Sequence, residues 1–359
     1  MTNREREILD LLKNDPFLSQ NELSQLLGIE RSSVSVHISN LIKKGLIKGK
    51  GYIINEEPYI TVIGGSNMDI LCSPEHKLLL HDSNPGTVSL SCGGVARNIA
   101  ENLAALGMQV KLLSAVGNDV HGETILKTTA NRGVDVSSMK RLNDLATSTY
   151  ISILDEEKDM VVAINDMKIT QSIDIAYIKD SASTLKHSGF IILDANLDEE
   201  VLKYIASQYT EVPLMIDTVS ASKALRIKSL YPQLFCLKCN RIEAEALLEV
   251  NLNNEDQIFS ALTTFQELGV KHPIISLGSE GVAYLSKQGP KKHKKSPKLI
   301  KNANGAGDAF SAALCYSLFH EVSIDEAVYF ATEAALLTLE SEETVSHTMN
   351  QLTLRKERN

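Results

Sequence analysis

From Tyr59 onward, short runs of β-branched and apolar residues alternate with amphipathic stretches of helical period, and this rhythm constrains the fold more than any other feature. The strand-like runs cover residues 59–63, 110–115, 190–194, 214–217, 234–238 and 273–277. The helical stretches between them cover 95–106, 122–132, 199–208, 242–248 and 257–268. Neighbouring parallel strands need a crossover long enough to hold a helix, so the alternation predicts an α/β fold, a doubly wound and mainly parallel sheet with helices on both faces. Residues 70–91 and 147–164 break the rhythm. Alternation at Thr149, Ile151, Ile153 and Val161 predicts a small antiparallel β lid over the main site.

Residues 1–55 follow a different pattern. Ile8, Leu9, Leu11 and Leu12 line one helical face that ends near Asn14-Asp15-Pro16. Ser19 and Glu22 have capping-box spacing at the start of a second helix carrying Leu23, Leu26 and Leu27. Gly28 permits a tight turn, and Arg31-Ser32-Ser33 opens a third helix carrying Val34, Ile38, Leu41 and Ile42. Residues 45–54 read as a short hairpin, the wing of a winged helix-turn-helix. The segment resembles the winged-helix domains of bacterial transcription regulators. That resemblance implies DNA as a partner, with Arg31, Ser32, Ser33, Ser35, His37 and Asn40 presented to groove edges and phosphates. Eight Lys/Arg against six Asp/Glu make its basic footprint modest, which leaves open a module for dimerisation or other interactions. Glu56-Glu57-Pro58 reads as a linker to a second domain over 59–359.

A net charge of −9 gives no whole-chain reason to expect nucleic acid or an anionic membrane as the main partner. There is no apolar run of membrane-spanning length. The charged start Met1-Thr2-Asn3-Arg4-Glu5 is unlike a signal peptide, so a cytoplasmic protein is expected. The five cysteines, Cys72, Cys92, Cys236, Cys239 and Cys315, suit a reducing compartment. Cys236 and Cys239 have zinc or redox spacing but lack a second ligand pair nearby, and two buried thiols are expected. The basic run Lys291-Lys292-His293-Lys294-Lys295 reads as a solvated hairpin tip.

Three segments carry chemistry. In Asn302-Ala303-Asn304-Gly305-Ala306-Gly307-Asp308, small residues precede a helix start, where free backbone N–H groups and the helix dipole attract anions. Asp308 is placed to take a proton from an attacking hydroxyl, or simply to cap the helix. Upstream, Ser91-Cys92-Gly93-Gly94-Val95-Ala96-Arg97-Asn98 lets main chain approach a polyhydroxy ligand, and Asn98 can both donate to and accept from its hydroxyls. Asn67 and Asp69 follow the first strand's carboxyl end, where open α/β sheets bind ligands.

In this order the three segments resemble the ribokinase-like (PfkB-type) carbohydrate and nucleoside kinases over residues 59–345. The resemblance implies ATP as phosphoryl donor, Asp308 as catalytic base and Gly305, Ala306 and Gly307 as the anion hole. It also implies Asn67, Asp69, Gly93, Gly94 and Asn98 as ligands of the sugar. Asn240 and Glu243 match the family's Asn-x-x-Glu pattern for magnesium and phosphate positioning, although helix capping explains the same spacing. Ser276, Gly278 and Gly281 match the strand-turn that borders the nucleotide. Many members carry Asp-Thr where this chain has Asn302-Ala303-Asn304.

Asp82-Ser83-Asn84-Pro85-Gly86, Val162-Ala163-Ile164-Asn165-Asp166-Met167 and Asp217-Thr218-Val219-Ser220-Ala221-Ser222-Lys223 are similar to segments of pseudouridine kinases. That likeness implies phosphorylation of the 5′-hydroxyl of pseudouridine. Asn165 and Asn196 would pair with the uracil edge, Lys223 would donate to a carbonyl, and Asp166 would contact the base or order its loop. A kinase for ribose, adenosine or another nucleoside is the nearest rival, and a nucleoside-sensing transcription regulator the rival of another class. The lid strands of the family often pair between subunits, which implies a homodimer.

Overall fold

The computed structural model describes residues 2–14, 18–47, 58–302 and 304–350, and contacts divide the chain into units Met1–Glu56 and Glu57–Asn359. The first unit contains α1 (Asn3–Asn14), α2 (Gln20–Leu27) and α3 (Arg31–Lys43). Ser19 and Glu22 form the reciprocal box that starts α2: the Ser19 hydroxyl accepts from the Glu22 amide, and the Glu22 carboxylate accepts from the Ser19 amide. Ile8, Leu23, Val34, Ile38 and Leu41 are the buried core. Leu26 and Ile42, expected inside, are exposed by 62% and 39%. Leu23 and Leu27 are the pair one helical turn apart that faces the core, and Leu26 falls off that stripe. Residues 48–54 of the expected wing and residues 56–57 of the expected linker lie outside the described residues.

The second unit opens with β1 (Ile60–Ile63), β2 (Asn67–Pro74), β3 (Gly86–Gly93), α4 (Val95–Ala105), β4 (Val110–Leu113), β5 (Ala115–Gly117), α5 (Val120–Asn131), β6 (Lys140–Leu142), β7 (Thr149–Leu154) and β8 (Met160–Asp166). It continues through α6 (Ile175–Asp180), α7 (Ala182–Lys186), β9 (Phe190–Asp194), α8 (Glu199–Gln208), β10 (Leu214–Asp217), α9 (Ala221–Ala224), β11 (Cys236–Asn240) and α10 (Arg241–Leu248). It closes with α11 (Glu255–Glu267), β12 (His272–Ser276), β13 (Val282–Ser286), β14 (Gly289–His293), α12 (Ala306–Phe319) and α13 (Ile324–Leu339).

Eight strands form the main sheet in the order β14-β13-β12-β11-β10-β9-β1-β4. It is parallel from β12 through β4 and antiparallel at its other edge. Successive strand residues point to opposite faces, so Val62, Ile192, Met215 and Ile274 pack with α4, α12 and α13 residues, while Ile63, Ile191, Ile216 and Ile275 pack with those of α8, α10 and α11. This is the doubly wound α/β sheet expected.

Several local expectations need correction. The run 110–115 is two strands, because Ser114 turns its buried hydroxyl onto the Gly64 carbonyl at 2.6 Å and β5 leaves to pair with β6. The strand expected at 234–238 begins at Cys236, which brings its end to Asn240, the cap of α10. Cys236 and Cys239 are buried on opposite faces of the sheet, so they cannot clasp one metal. The lid is a four-stranded sheet, β3-β2-β7-β8, and is mixed instead of antiparallel: its two hairpins meet through parallel β2 and β7. These strands belong to separate hairpins, so no tight turn forces them to oppose each other. The basic run is not a hairpin tip. Lys291 to His293 lie in edge strand β14, where Lys291 pairs with Asp325 at 2.8 Å and Lys292 with Glu280 at 3.3 Å. Among the described residues, no helix is long and apolar enough to cross a membrane.

Candidate active site

The turn into α12 is shaped by close packing. Gly305 has φ +81°, and a Cβ there would lie 2.1 Å from the Thr344 carbonyl oxygen. The Asn302 side chain accepts from the Asn304 amide at 2.9 Å and donates to the Glu342 carbonyl at 3.1 Å. The unusual lead-in thus serves the turn itself; Ala303 lies outside the described residues. Ala306, Gly307 and Asp308 form the first turn of α12, whose N–H groups have no carbonyl four residues back within the helix.

Asp308 is half-buried, and its Oδ2 accepts from the Asn98 side-chain Nδ2 at 2.7 Å. Burial, reinforced by the Asp217 carboxylate, pushes its pKa up to about 7 against the pull of Asn98 and Lys238. A carboxyl held near neutrality suits a general base. The Asn98 side-chain oxygen accepts from Arg97, and its Nδ2 donates to Asp308.

Around this pair the other residues expected to hold a sugar converge. Asn67 donates to Asp69 Oδ1 at 2.5 Å, and Gly93 backs directly onto the Asp69 carboxylate. Burial raises the Asp69 pKa, with Asn67 and Arg97 opposing. Gly94 sits where a Cβ would come within 2.4 Å of the Gly65 carbonyl, a backbone approach only glycine allows. Buried Asp194 ties these loops together, accepting from the amides of Gly65 at 2.8 Å, Asn196 at 3.0 Å and Ala96 at 3.2 Å. Lys223 donates to Asn196 Oδ1 at 2.6 Å. Burial lowers the Lys223 pKa, with the Asp194 carboxylate opposing.

On the other side of α12, Lys238 pairs with Asp217 at 3.0 Å, and Ser311 donates to the same oxygen at 2.8 Å. Burial works against the Lys238 charge, but Asp217 overcomes it and holds the lysine above its ordinary pKa. Lys238, Ser276, Gly278, Gly281, Ala306 and Gly307 line a cavity of about 400 Å³ walled by apolar Val282, Phe310 and Leu336. Asn240 and Glu243 form a capping box: the Asn240 amide donates to Glu243 Oε2 at 2.7 Å, and the Glu243 amide to Asn240 Oδ1 at 2.9 Å. The Thr218 hydroxyl donates to that Glu243 oxygen at 2.5 Å. Glu243 is thus buried, with Oε2 held by two donors, and the pair alone does not enclose a cation. An oxygen-only donor set without a protein cage fits magnesium, which keeps most of its waters.

Two expected residues sit apart. Asn165 and Asp166 are exposed on lid strand β8, in register with Tyr150 and Thr149 of β7. In the first unit, Arg31, Ser32 and Ser33 are exposed on α3, Ser35 and His37 are half-buried, and Val36 is 59% exposed beside them. Asp194, Asp217, Lys238, Arg97 and Ser311 were not singled out from sequence. Asp194 and Asp217 are the last residues of neighbouring parallel strands and come to face each other only in the assembled sheet.

Residues 57–350 match the model of the pfkB family of carbohydrate kinases, and residues 1–48 that of winged helix-turn-helix DNA-binding domains. The uncharacterized sugar kinase YeiI of Escherichia coli is 37% identical, over 94% of each chain. The pseudouridine kinase of E. coli is 35% identical over 81% of this chain and 93% of its own. The solved ribokinase of Arabidopsis thaliana, complexed with ribose and ATP, superposes with a TM-score of 0.73 at 21% identity, covering 84% of this chain and 98% of its own; it shares the fold.

Proposed function

The chain belongs to the pfkB family of carbohydrate kinases, and from that membership we propose that it transfers the γ-phosphoryl group of ATP to the 5′-hydroxyl of pseudouridine. The observation that carries the chemistry is the contact between Asn98 and Asp308, which joins the sugar-side loops to a carboxyl held near neutral pH. The 35% identity to a pseudouridine kinase supports the choice of nucleoside.

In this reading Asn67, Asp69, Gly93, Gly94 and Asn98 hold the ribose. Asp308 takes the proton of the 5′-hydroxyl while the amides of Gly305, Ala306 and Gly307 stabilise charge on the transferring group. Asn196 and Lys223 face the base, and Asn165 and Asp166 reach it from the lid. ATP occupies the cavity bordered by Ser276, Gly278 and Gly281. Magnesium, when bound, would neutralise phosphate charge, held through water by Asn240 and Glu243. A panel of nucleosides and sugars assayed for ATP consumption tests the acceptor; preference for ribose or adenosine would move the reading to that substrate.

We assign residues 1–55 to a DNA-binding domain, 56–58 to a linker and 59–359 to the kinase, with the lid over 70–91 and 147–164. Exposed Arg31, Ser32 and Ser33 and the absence of acidic residues from α3 support DNA as its partner. Equal affinity of the full chain for its own promoter DNA and random duplex at moderate salt would refute that assignment. Exposed Val88, Leu90, Val162 and Ile164 on the lid support a homodimer.

A further inference from the structure

Arg97 is 2% exposed and sits between the end of β3 and the first turn of α4. Its Nε donates to the Gly93 carbonyl at 2.8 Å, and one terminal nitrogen donates to the Cys92 carbonyl at 2.5 Å and to the Asn98 side-chain oxygen. The other terminal nitrogen pairs with buried Glu101. Asn98 is therefore clamped between a group that only donates, Arg97, and a carboxyl, Asp308.

We infer that Arg97 is a positioning residue for the phosphoryl-transfer step, fixing the Asn98 amide so that only its NH₂ group faces Asp308. This role depends on Asp308 being the base, as proposed above. While Asp308 is ionised, it selects the same amide orientation as Arg97. Once Asp308 carries a proton, that selection disappears, and a free amide could turn its carbonyl toward the new O–H. Such a reversal would stabilise the protonated acid and delay its return to the working form. Arg97 forbids the reversal, because the Asn98 NH₂ would then meet the guanidinium donors. The charged groups that face Asp308 besides this amide are Asp217 and Asp194, which disfavour its ionisation, and Lys238, which favours it. Those facing Arg97 are Glu101 and Asp69. None of them controls which way the Asn98 amide points.

The test is the pH dependence of kcat/KM in the full-length protein. Replacing Arg97 alone would strand Glu101, so the informative variant is R97M/E101L, with R97L/E101M as a second pair that also lacks a donor. The acid limb should move up by about one pH unit, a roughly tenfold loss below neutrality that recovers at higher pH. E101Q, which leaves Arg97 on Asn98, should keep the wild-type profile. In an Asn98→Ala background, the R97M/E101L change should add no further shift. A folded R97M/E101L or R97L/E101M protein with an unshifted acid limb would overturn the inference. Asp308→Asn is measured in parallel: substantial turnover there would defeat the base assignment, whereas an inactive Asp308→Asn beside unshifted Arg97 variants would defeat the Arg97 role alone.

Discussion

The Asn98 side chain donates to Asp308 Oδ2 at 2.7 Å, across 210 residues of sequence, and so joins the N-terminal end of α4 to that of α12. Both helices begin at tight glycine turns, and the contact sets the loop proposed to bind the acceptor against the carboxyl that would accept its proton.

Because the Asp308 pKa stands at about 7, kcat/KM should climb with pH through that value and level off above it. The base works only when ionised, so activity is lost on the acid side. A pH profile with a half-height between about 6 and 8 is expected. A flat profile down to pH 5 would contradict the raised value.

Asp308→Asn should lower kcat by about 10²–10⁴-fold while leaving nucleoside binding largely intact. It should also raise Tm at pH 8. The folded pKa lies above the unfolded value near 3.9, so the fold disfavours the ionised carboxyl, and stability falls as pH rises from about 4 toward 7. The gain in Tm should therefore shrink toward pH 4, and thermal melts at the two pH values measure it.

Gly305→Ala places a methyl against the Thr344 carbonyl at a φ that L-residues avoid. The turn must shift and misaim the amides of α12. A fall in kcat of about 10²-fold or more is expected, read by steady-state kinetics, with a stability cost of about 1–3 kcal/mol in denaturant melts.

Asp194→Asn replaces an acceptor of three amide bonds with a group whose NH₂ must face an N–H. The loss should be about 1–3 kcal/mol, measured in urea. The nucleoside KM should rise as well, because the same carboxylate orders Gly65, Ala96 and Asn196.

Lys223→Met releases Asn196, which Lys223 holds at 2.6 Å. The nucleoside KM should rise roughly tenfold, about one hydrogen bond to a charged group, with the KM for ATP unchanged. An equal rise in both values would place Lys223 outside the nucleoside site.

Much of this was written locally. The α/β class followed from the alternation of short apolar runs with helical stretches, and the span of α8 from its own period. The turn at Gly305 to Asp308 was legible because glycine, alanine and a following helix mark an anion-binding start wherever they occur. The box of Ser19 with Glu22, and that of Asn240 with Glu243, were fixed by spacing of three residues.

What stayed hidden depended on partners distant in sequence. A run of apolar residues does not say which strand it will pair with, so the split at Ser114 and the parallel meeting of β2 with β7 emerged only from the assembled sheets. Nor does a buried aspartate announce itself: Asp194 and Asp217 acquire meaning when neighbouring strands bring their ends together. The sequence by itself determined most of the elements and the small-residue turn that leads into the helix of Asp308. Tertiary structure decided its pKa and the orientation of Asn98, because both arise from burial and from charges that only packing brings within a few ångströms.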